Sequence, residues 1–279
     1  DNARGLFPIH RGLRFAVVVA QPRSGPRDAR ATFGITTTEE IETLTTSVEE
    51  PLPIRLGSED LMTVGGPTLR IPDLRQADDL EWLLAIMRAH PALGATQGWQ
   101  AQFSRELNAT DDRDSFKDRR GATRIPVAGG KHIEPFRVRI NDCGQFMGVD
   151  AARRRLPDLR FTKPRLVYRD VSGVGNRFTL IAAVMPGDVV TTHTLFCLRK
   201  ELPVQQQHFL CGVFNSRLMN RVVRLLMGGH VTTSLVEHLP VPCWQPTRCQ
   251  RRIATIAAAL AGPGLTTVVR ARLITRLNV

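Results

Sequence analysis

Four side chains in this 279-residue sequence have the types and separations of zinc ligands: His193 with Cys197, and His208 with Cys211. The same residues also fit a plainer account, in which Cys197 ends a core strand and Cys211 faces inward on a helix as an apolar thiol. Cys243 and Cys249, six positions apart, form a weaker pair. A metal-dependent nuclease of the common kind needs an acid two residues before a lysine to hold the ion and the attacking water. The four lysines, Lys117, Lys131, Lys163 and Lys200, have Ser115, Gly129, Phe161 and Leu198 at that offset. No phosphate-cradling G-x-x-x-x-G-K-[ST], no G-x-S-x-G elbow and no H-E-x-x-H occurs. Gly173-Val174-Gly175 has neither the third glycine nor the following helix of a dinucleotide loop, and reads as a hairpin turn. The sequence carries no recognisable catalytic motif.

Cations are the chemistry that is abundant. Net charge is +12, and it is unevenly spread: residues 1–140 hold 19 basic and 19 acidic side chains, residues 141–279 hold 19 basic and 7 acidic. Residues 31–82 carry 11 acids against three arginines, a stretch that phosphate would repel. A polyanion is therefore expected on the C-terminal half. There the basic residues gather at Arg153, Arg154 and Arg155, at Lys163 and Arg165, at Arg169 and Arg177 across a hairpin, and at Arg217, Arg221 and Arg224. The last three are spaced four and three apart and make one stripe on a helix. Such arginines suit phosphates, and a few suit the bidentate contact to guanine. Each has a structural competitor: Arg169 beside Asp170 fits an internal ion pair, and Arg153–Arg155 fits a solvated face. Arginine outnumbers lysine heavily, a bias that a GC-rich genome also produces.

The elements that must position these groups follow from periodicity. Leu13–Ala20 reads as a buried strand, and 31–60 as a connector. Asp78–His90 is an amphipathic helix with Leu80, Leu83, Leu84 and Met87 on one face. Residues 108–131 read as a polar surface loop before a strand-like Phe136–Ile140. Arg165–Val171 and Arg177–Val184 make a hairpin about the turn 172–176, with Thr192–Leu198 as a third strand. Helices are expected at 203–214, at 216–227 capped by Asn215-Ser216, at 247–261 and at 266–277. Ser234 and Glu237 have capping-box spacing. Five scattered cysteines fit a reducing cytoplasm rather than a disulfide framework, and the longest apolar runs are far shorter than a membrane span. The first methionine is Met62, so the expectation is a piece of a longer polypeptide.

Five stretches in order resemble the C-terminal part of adenine-specific DNA methyltransferases of type II restriction-modification systems, including the single-chain type IIG enzymes that also cut. Leu6–Ile9 with Leu13–Phe15 looks like the closing hairpin of the methyltransferase domain. Gly98-Trp99 through Arg105–Asp111 and Phe116 resembles the opening of the target recognition domain. Gly129–Ile133 with Phe136 resembles its glycine-lysine turn, although Gly129 stands where the family often has an acid. Pro164–Val171 continued by Asn176–Ala183 and Pro186 is the most specific piece. Phe214–Arg224, Gly228–His230 and Leu239–Pro242 are similar to the helix pair and proline-bounded exit.

The resemblance implies a mixed α/β fold in three parts: residues 1–30 as the last strand or hairpin of a methyltransferase domain, 31–94 as an acidic connector with a helix, and 95–279 as a target recognition domain. It implies a chain that binds double-stranded DNA in the cytoplasm and is not catalytic alone. The missing methyltransferase domain is its partner, with S-adenosylmethionine as that domain's cofactor. The family's Asn-Pro-Pro-Tyr and glycine-rich cofactor motifs do not occur here. The DNA-facing residues expected on this reading are Lys131, Arg153, Arg154, Arg155, Lys163, Arg165, Arg169, Asn176, Arg177, Arg217, Arg221 and Arg224, with no catalytic, cofactor or metal residues. The rivals are a subunit of a methyltransferase or restriction endonuclease completed by another chain, and a protein-interaction module.

Overall fold

The computed structural model describes residues 2, 4–11, 16–19, 28–46, 54–76, 78–171 and 178–278. It divides into two compact units, residues 1–89 with 225–229, and residues 90–224 with 230–279. In the first unit β1 (Asp28–Ala31) pairs antiparallel with β2 (Ile54–Gly57); α1 (Thr38–Thr46) lies between them in the chain, and α2 (Ser58–Gly65) and α3 (Asp79–Ala89) follow. Ile54 and Leu56 point inward at period two, and Leu83 and Met87 are the buried pair of α3. The buried Asp79 carboxylate, on the first residue of α3, accepts the amides of Arg75 and Gln76, both at 3.0 Å, and so ties the preceding segment to the helix.

The expected buried strand Leu13–Ala20 is not found in the described part of that segment. Ala16–Val19 has no regular secondary structure, and Val17, Val18 and Val19 are 80%, 74% and 94% exposed. A strand apolar on both faces is stable only inside a sheet covered on both faces, and no described strand pairs with this one.

The second unit is a mixed α/β assembly. One sheet has the order β10-β9-β12-β3, built from β3 (Phe103–Ser104), β9 (Arg165–Arg169), β10 (Ala182–Met185) and β12 (Leu195–Leu198), all antiparallel. The other has the order β11-β5-β8-β4, from β4 (Phe116–Lys117), β5 (Arg124–Ala128), β8 (Phe146–Gly148) and β11 (Val190–Thr191). A small ribbon pairs β6 (Ile133–Glu134) with β7 (Arg137–Val138). The helices are α4 (Val149–Arg155), α5 (Val204–Phe214), α6 (Arg217–Leu226), α7 (Thr233–His238), α8 (Arg248–Ala261) and α9 (Thr267–Leu277). No helix of the described residues is long and apolar enough to cross a membrane.

The central strand β9 determines the rest. Leu166 and Tyr168 face one way, where the Tyr168 ring meets Phe103 edge-on at 5.1 Å and Phe196 at 5.3 Å. Arg165, Val167 and Arg169 face the other, and Val167 lies in a core with Ala128, Ile133, Ala183, Met185, Leu195 and Cys197. One face of one strand thus carries two arginines at opposite ends of a hydrophobic cluster, about 13 Å apart along the chain. Helix α5 lies close to α8 because residue 212 is glycine. A Cβ there would stand 2.6 Å from Ile253 Cγ2.

Three local expectations change. The loop 108–131 contains β5, because Ile125 and Val127 alternate inward around Pro126 and pack with Phe116, Met147 and Phe161. The expected strand 177–184 begins only at Ala182, since the amides of Thr179 and Leu180 are taken by Asn220 Oδ1 at 2.6 and 2.9 Å instead of a ladder partner. The N-cap of α7 is Thr232, not Ser234, and Glu237 accepts the Phe103 amide at 2.9 Å rather than closing a capping box. Ser216 does cap α6, accepting the Met219 amide at 3.1 Å.

Candidate nucleic-acid interface

The C-terminal end of β9 meets a tight turn at Gly129–Ile133. The turn is held from three sides. The Gly129 amide donates to His132 Nδ1 and the Gly130 amide to Thr194 Oγ1, both at 2.8 Å, and Arg169 Nη2 donates to the carbonyls of Gly130 at 2.6 Å and Ile133 at 2.7 Å. Lys131, between those carbonyls, projects into solvent. Arg139 closes the far side, donating to the Lys131 carbonyl at 2.7 Å and pairing with Glu134 and Asp142 at 3.4 and 3.2 Å. His132 is buried with Nδ1 accepting a hydrogen bond, which requires the neutral ring. Burial first, then Lys131 and Arg139, hold its pKa below the usual imidazole value. Burial, then Arg139, also lowers the pKa of Arg169.

Beside this turn, Asp170 receives Arg105 at 2.7 Å and stands 3.5 Å from His230 Nδ1. The Arg105 guanidinium also lies 4.9 Å over the Phe196 ring. The expected internal partner of Arg169 thus belongs to Arg105 and His230, and Arg169 binds backbone instead.

Helix α6 does present its cationic stripe. Arg217 and Arg221 are exposed and Arg224 is half-buried, opposite a buried row of Met219, Val222, Val223 and Leu226. Arg224 Nε donates to Thr179 Oγ1 at 2.9 Å, and the Arg169 amide donates to the Ile181 carbonyl at 3.0 Å. Residues 179–181 therefore join the stripe to the Lys131 turn. Of the α4 arginines, Arg155 is linked to the same region through a longer chain of contacts. Arg155 pairs with Asp112, whose turn donates the Ala109 amide to His193 Nδ1 at 3.1 Å, next to Thr194. Arg154 is exposed, and Arg153 lies 3.9 Å from Asp150.

Two expected residues are elsewhere. Arg165, at the other end of β9, is an interior cation. Its side chain is 5% exposed and doubly bonded to Glu106, at 2.6 and 2.7 Å, and its Nη2 donates to the Val189 carbonyl at 2.7 Å. Lys163, also beyond that end, pairs with Glu201 at 2.8 Å on an exposed surface. Asn176 and Arg177 lie outside the described residues. Arg105 and Arg139 were not among the expected cations. The alternation Arg137-Val138-Arg139 directly after the glycine turn was the available signal for the second.

The four zinc-ligand candidates do not assemble: among the described residues no three His, Cys, Asp or Glu side chains come together as a metal site. Cys197 Sγ lies 3.1 Å from Thr191 Oγ1, Cys211 sits against Asn215 and the Ala182 carbonyl, and burial pushes both thiols up to about 12.

No protein-family model matches the chain, and no curated protein matches it. Among solved structures it is similar to that of a type IIL restriction-modification enzyme, MmeI, in complex with DNA, with 11% sequence identity over 64% of this chain and a TM-score of 0.43. The match spans 32% of that chain, about a third of its length.

Proposed function

We propose that this chain is a DNA-binding target recognition region of an adenine-specific methyltransferase of a type II, or single-chain type IIG, restriction-modification system. The observation that carries the reading is that the Lys131 turn and the α6 arginines both attach to the C-terminal end of β9. Exposed Lys131 stands on a turn braced by Arg169, and the buried segment 179–181 ties Arg169 to Arg224 of the helix that carries Arg221 and Arg217. The segments that resemble the family supply these parts: Gly129–Ile133 is the turn, Pro164–Val171 contains β9, and Phe214–Arg224 leads through α6. On this reading residues 95–279 read DNA and make no bond themselves. A methyltransferase domain of the parent polypeptide binds S-adenosylmethionine and reacts, in the cytoplasm. The division has a physical rationale, because an enzyme that flips out its target base needs a separate surface holding register on the flanking pairs.

Fluorescence anisotropy with a duplex of randomised sequence tests it. If about six cations meet phosphates, log affinity falls with log salt at a slope near −5. Affinity indifferent to salt between about 50 and 200 mM, a range over which counterion release has a large effect, overturns the reading. Methyl transfer from labelled S-adenosylmethionine by the chain alone overturns the non-catalytic part of it.

A further inference from the structure

We propose that Arg169 serves DNA binding as a positioning residue that sets the Gly129–Ile133 turn, and that Lys131 is the group the turn delivers to a phosphate. This rests on the reading of the chain as a DNA binder. The geometry separates the two roles. Arg169 directs Nη2 at two backbone carbonyls that bracket Lys131, Gly130 at 2.6 Å and Ile133 at 2.7 Å, and its Nε is buried and makes no hydrogen bond. A guanidinium turned inward in this way does not offer the flat, two-pronged edge that a phosphate takes.

The side-chain stem is committed as well. A Cβ on Gly130 would stand 3.3 Å from Arg169 Cγ, so the turn packs directly on the arginine. Lys131 has the opposite surroundings: its side chain is exposed, while its carbonyl is drawn inward by Arg139 at 2.7 Å. The carbonyls of residues 130, 131 and 133 all end on guanidinium nitrogens. That arrangement neutralises the partial negative charge a phosphate would otherwise meet at the turn, and leaves an ammonium group as its most accessible point.

A double-mutant cycle on the whole chain decides the matter, with affinity for a randomised duplex measured across a salt series. Lys131→Ala is expected to weaken binding several-fold and to reduce the salt slope by about 1. Arg169→Gln should do the same in the wild-type background and nothing further in the Lys131→Ala background, where the slope stays put. Where Arg169→Gln does not fold, Arg169→Lys goes through the same cycle: a loss in the wild-type background that vanishes beside Lys131→Ala is expected, and binding left unchanged by Arg169→Lys, whose ammonium can still meet a phosphate, overturns the assignment. Multiplicative effects, with the slope falling by about 2 in the double variant, mean that Arg169 holds a phosphate of its own and overturn the assignment. Salt-insensitive binding by the unmodified chain overturns the DNA-binding reading itself, a separate result.

Discussion

Glu106→Gln is the sharpest test of the interior of the second unit. Glu106 and Arg165 form a two-pronged ion pair whose side chains are 1% and 5% exposed, and the carboxylate also accepts the Thr191 amide at 2.8 Å and the Thr191 hydroxyl at 2.9 Å. Replacing the carboxylate by an amide keeps the shape and removes the charge, leaving a guanidinium buried without a counterion. Breaking one partner of such a pair costs about 3–5 kcal/mol. For a unit of this size each kcal/mol moves the melting temperature by about 2–4 °C, so the fall is about 6–20 °C. Differential scanning calorimetry reads it. The paired replacement Glu106→Leu with Arg165→Met removes both charges together. It is expected to restore most of the loss and, on the proposed function, to leave DNA affinity unchanged, because Arg165 does not reach the surface. A Glu106→Gln shift under about 2 °C, too small for a buried charge left unpaired, refutes the burial argument. A folded double variant that no longer binds DNA returns Arg165 to the interface.

The other predictions use the same reasoning. Asn220 accepts two amides and donates to the Phe214 and Ser216 carbonyls at 2.9 Å each, so Asn220→Ala leaves buried donors unmet and should cost about 3 kcal/mol in urea unfolding; a cost under about 1 kcal/mol contradicts that role. Tyr168 is the single tyrosine, and its hydroxyl is buried without a hydrogen bond; burial, then Glu237 and Asp170, push its pKa far above the ordinary value. The neutral ring therefore stabilises the fold at and below about pH 10, and stability falls as the pH rises beyond the unfolded pKa. Tyrosinate absorbance should appear only together with the loss of near-ultraviolet circular dichroism, and its appearance in folded protein refutes this. Ellman's reagent at pH 8 should titrate exposed Cys249 quickly and Cys243 more slowly, while Cys143, Cys197 and Cys211 stay silent until denaturant is added.

Local pattern made much of this architecture legible in advance. Helices α3, α5, α6, α8 and α9 lie within one or two residues of their expected bounds, because each has a caesura of capping or turn residues and an inward face at helical spacing. The pairing of β9 with β10 and the addition of β12 followed from three apolar runs separated by turns. What escaped was decided by partners remote in the chain. Arg165 looked like one more surface cation because Glu106, which neutralises it, stands 59 positions earlier and no local pattern links the two. The strand β5 was hidden by charged residues on both sides, and only its neighbours β8 and β11 make Ile125 and Val127 a core.

The same consideration sorts the candidate site. A cation's type and spacing say that it is able to meet a phosphate, whereas its hydrogen-bond partners say whether anything is left to offer. Arg165 and Arg169 share one face of one strand, yet the first neutralises a buried carboxylate and the second braces a turn. Lys131, with no motif of its own beyond two glycines, is presented by the structure those arginines stabilise. On the proposed function, electrostatic binding to DNA depends on few exposed groups, Lys131, Arg217 and Arg221 foremost, while buried Arg165 and half-buried Arg169 contribute through geometry. Removing an exposed group should move the salt slope with little change in melting temperature, and removing Arg165 should do the reverse.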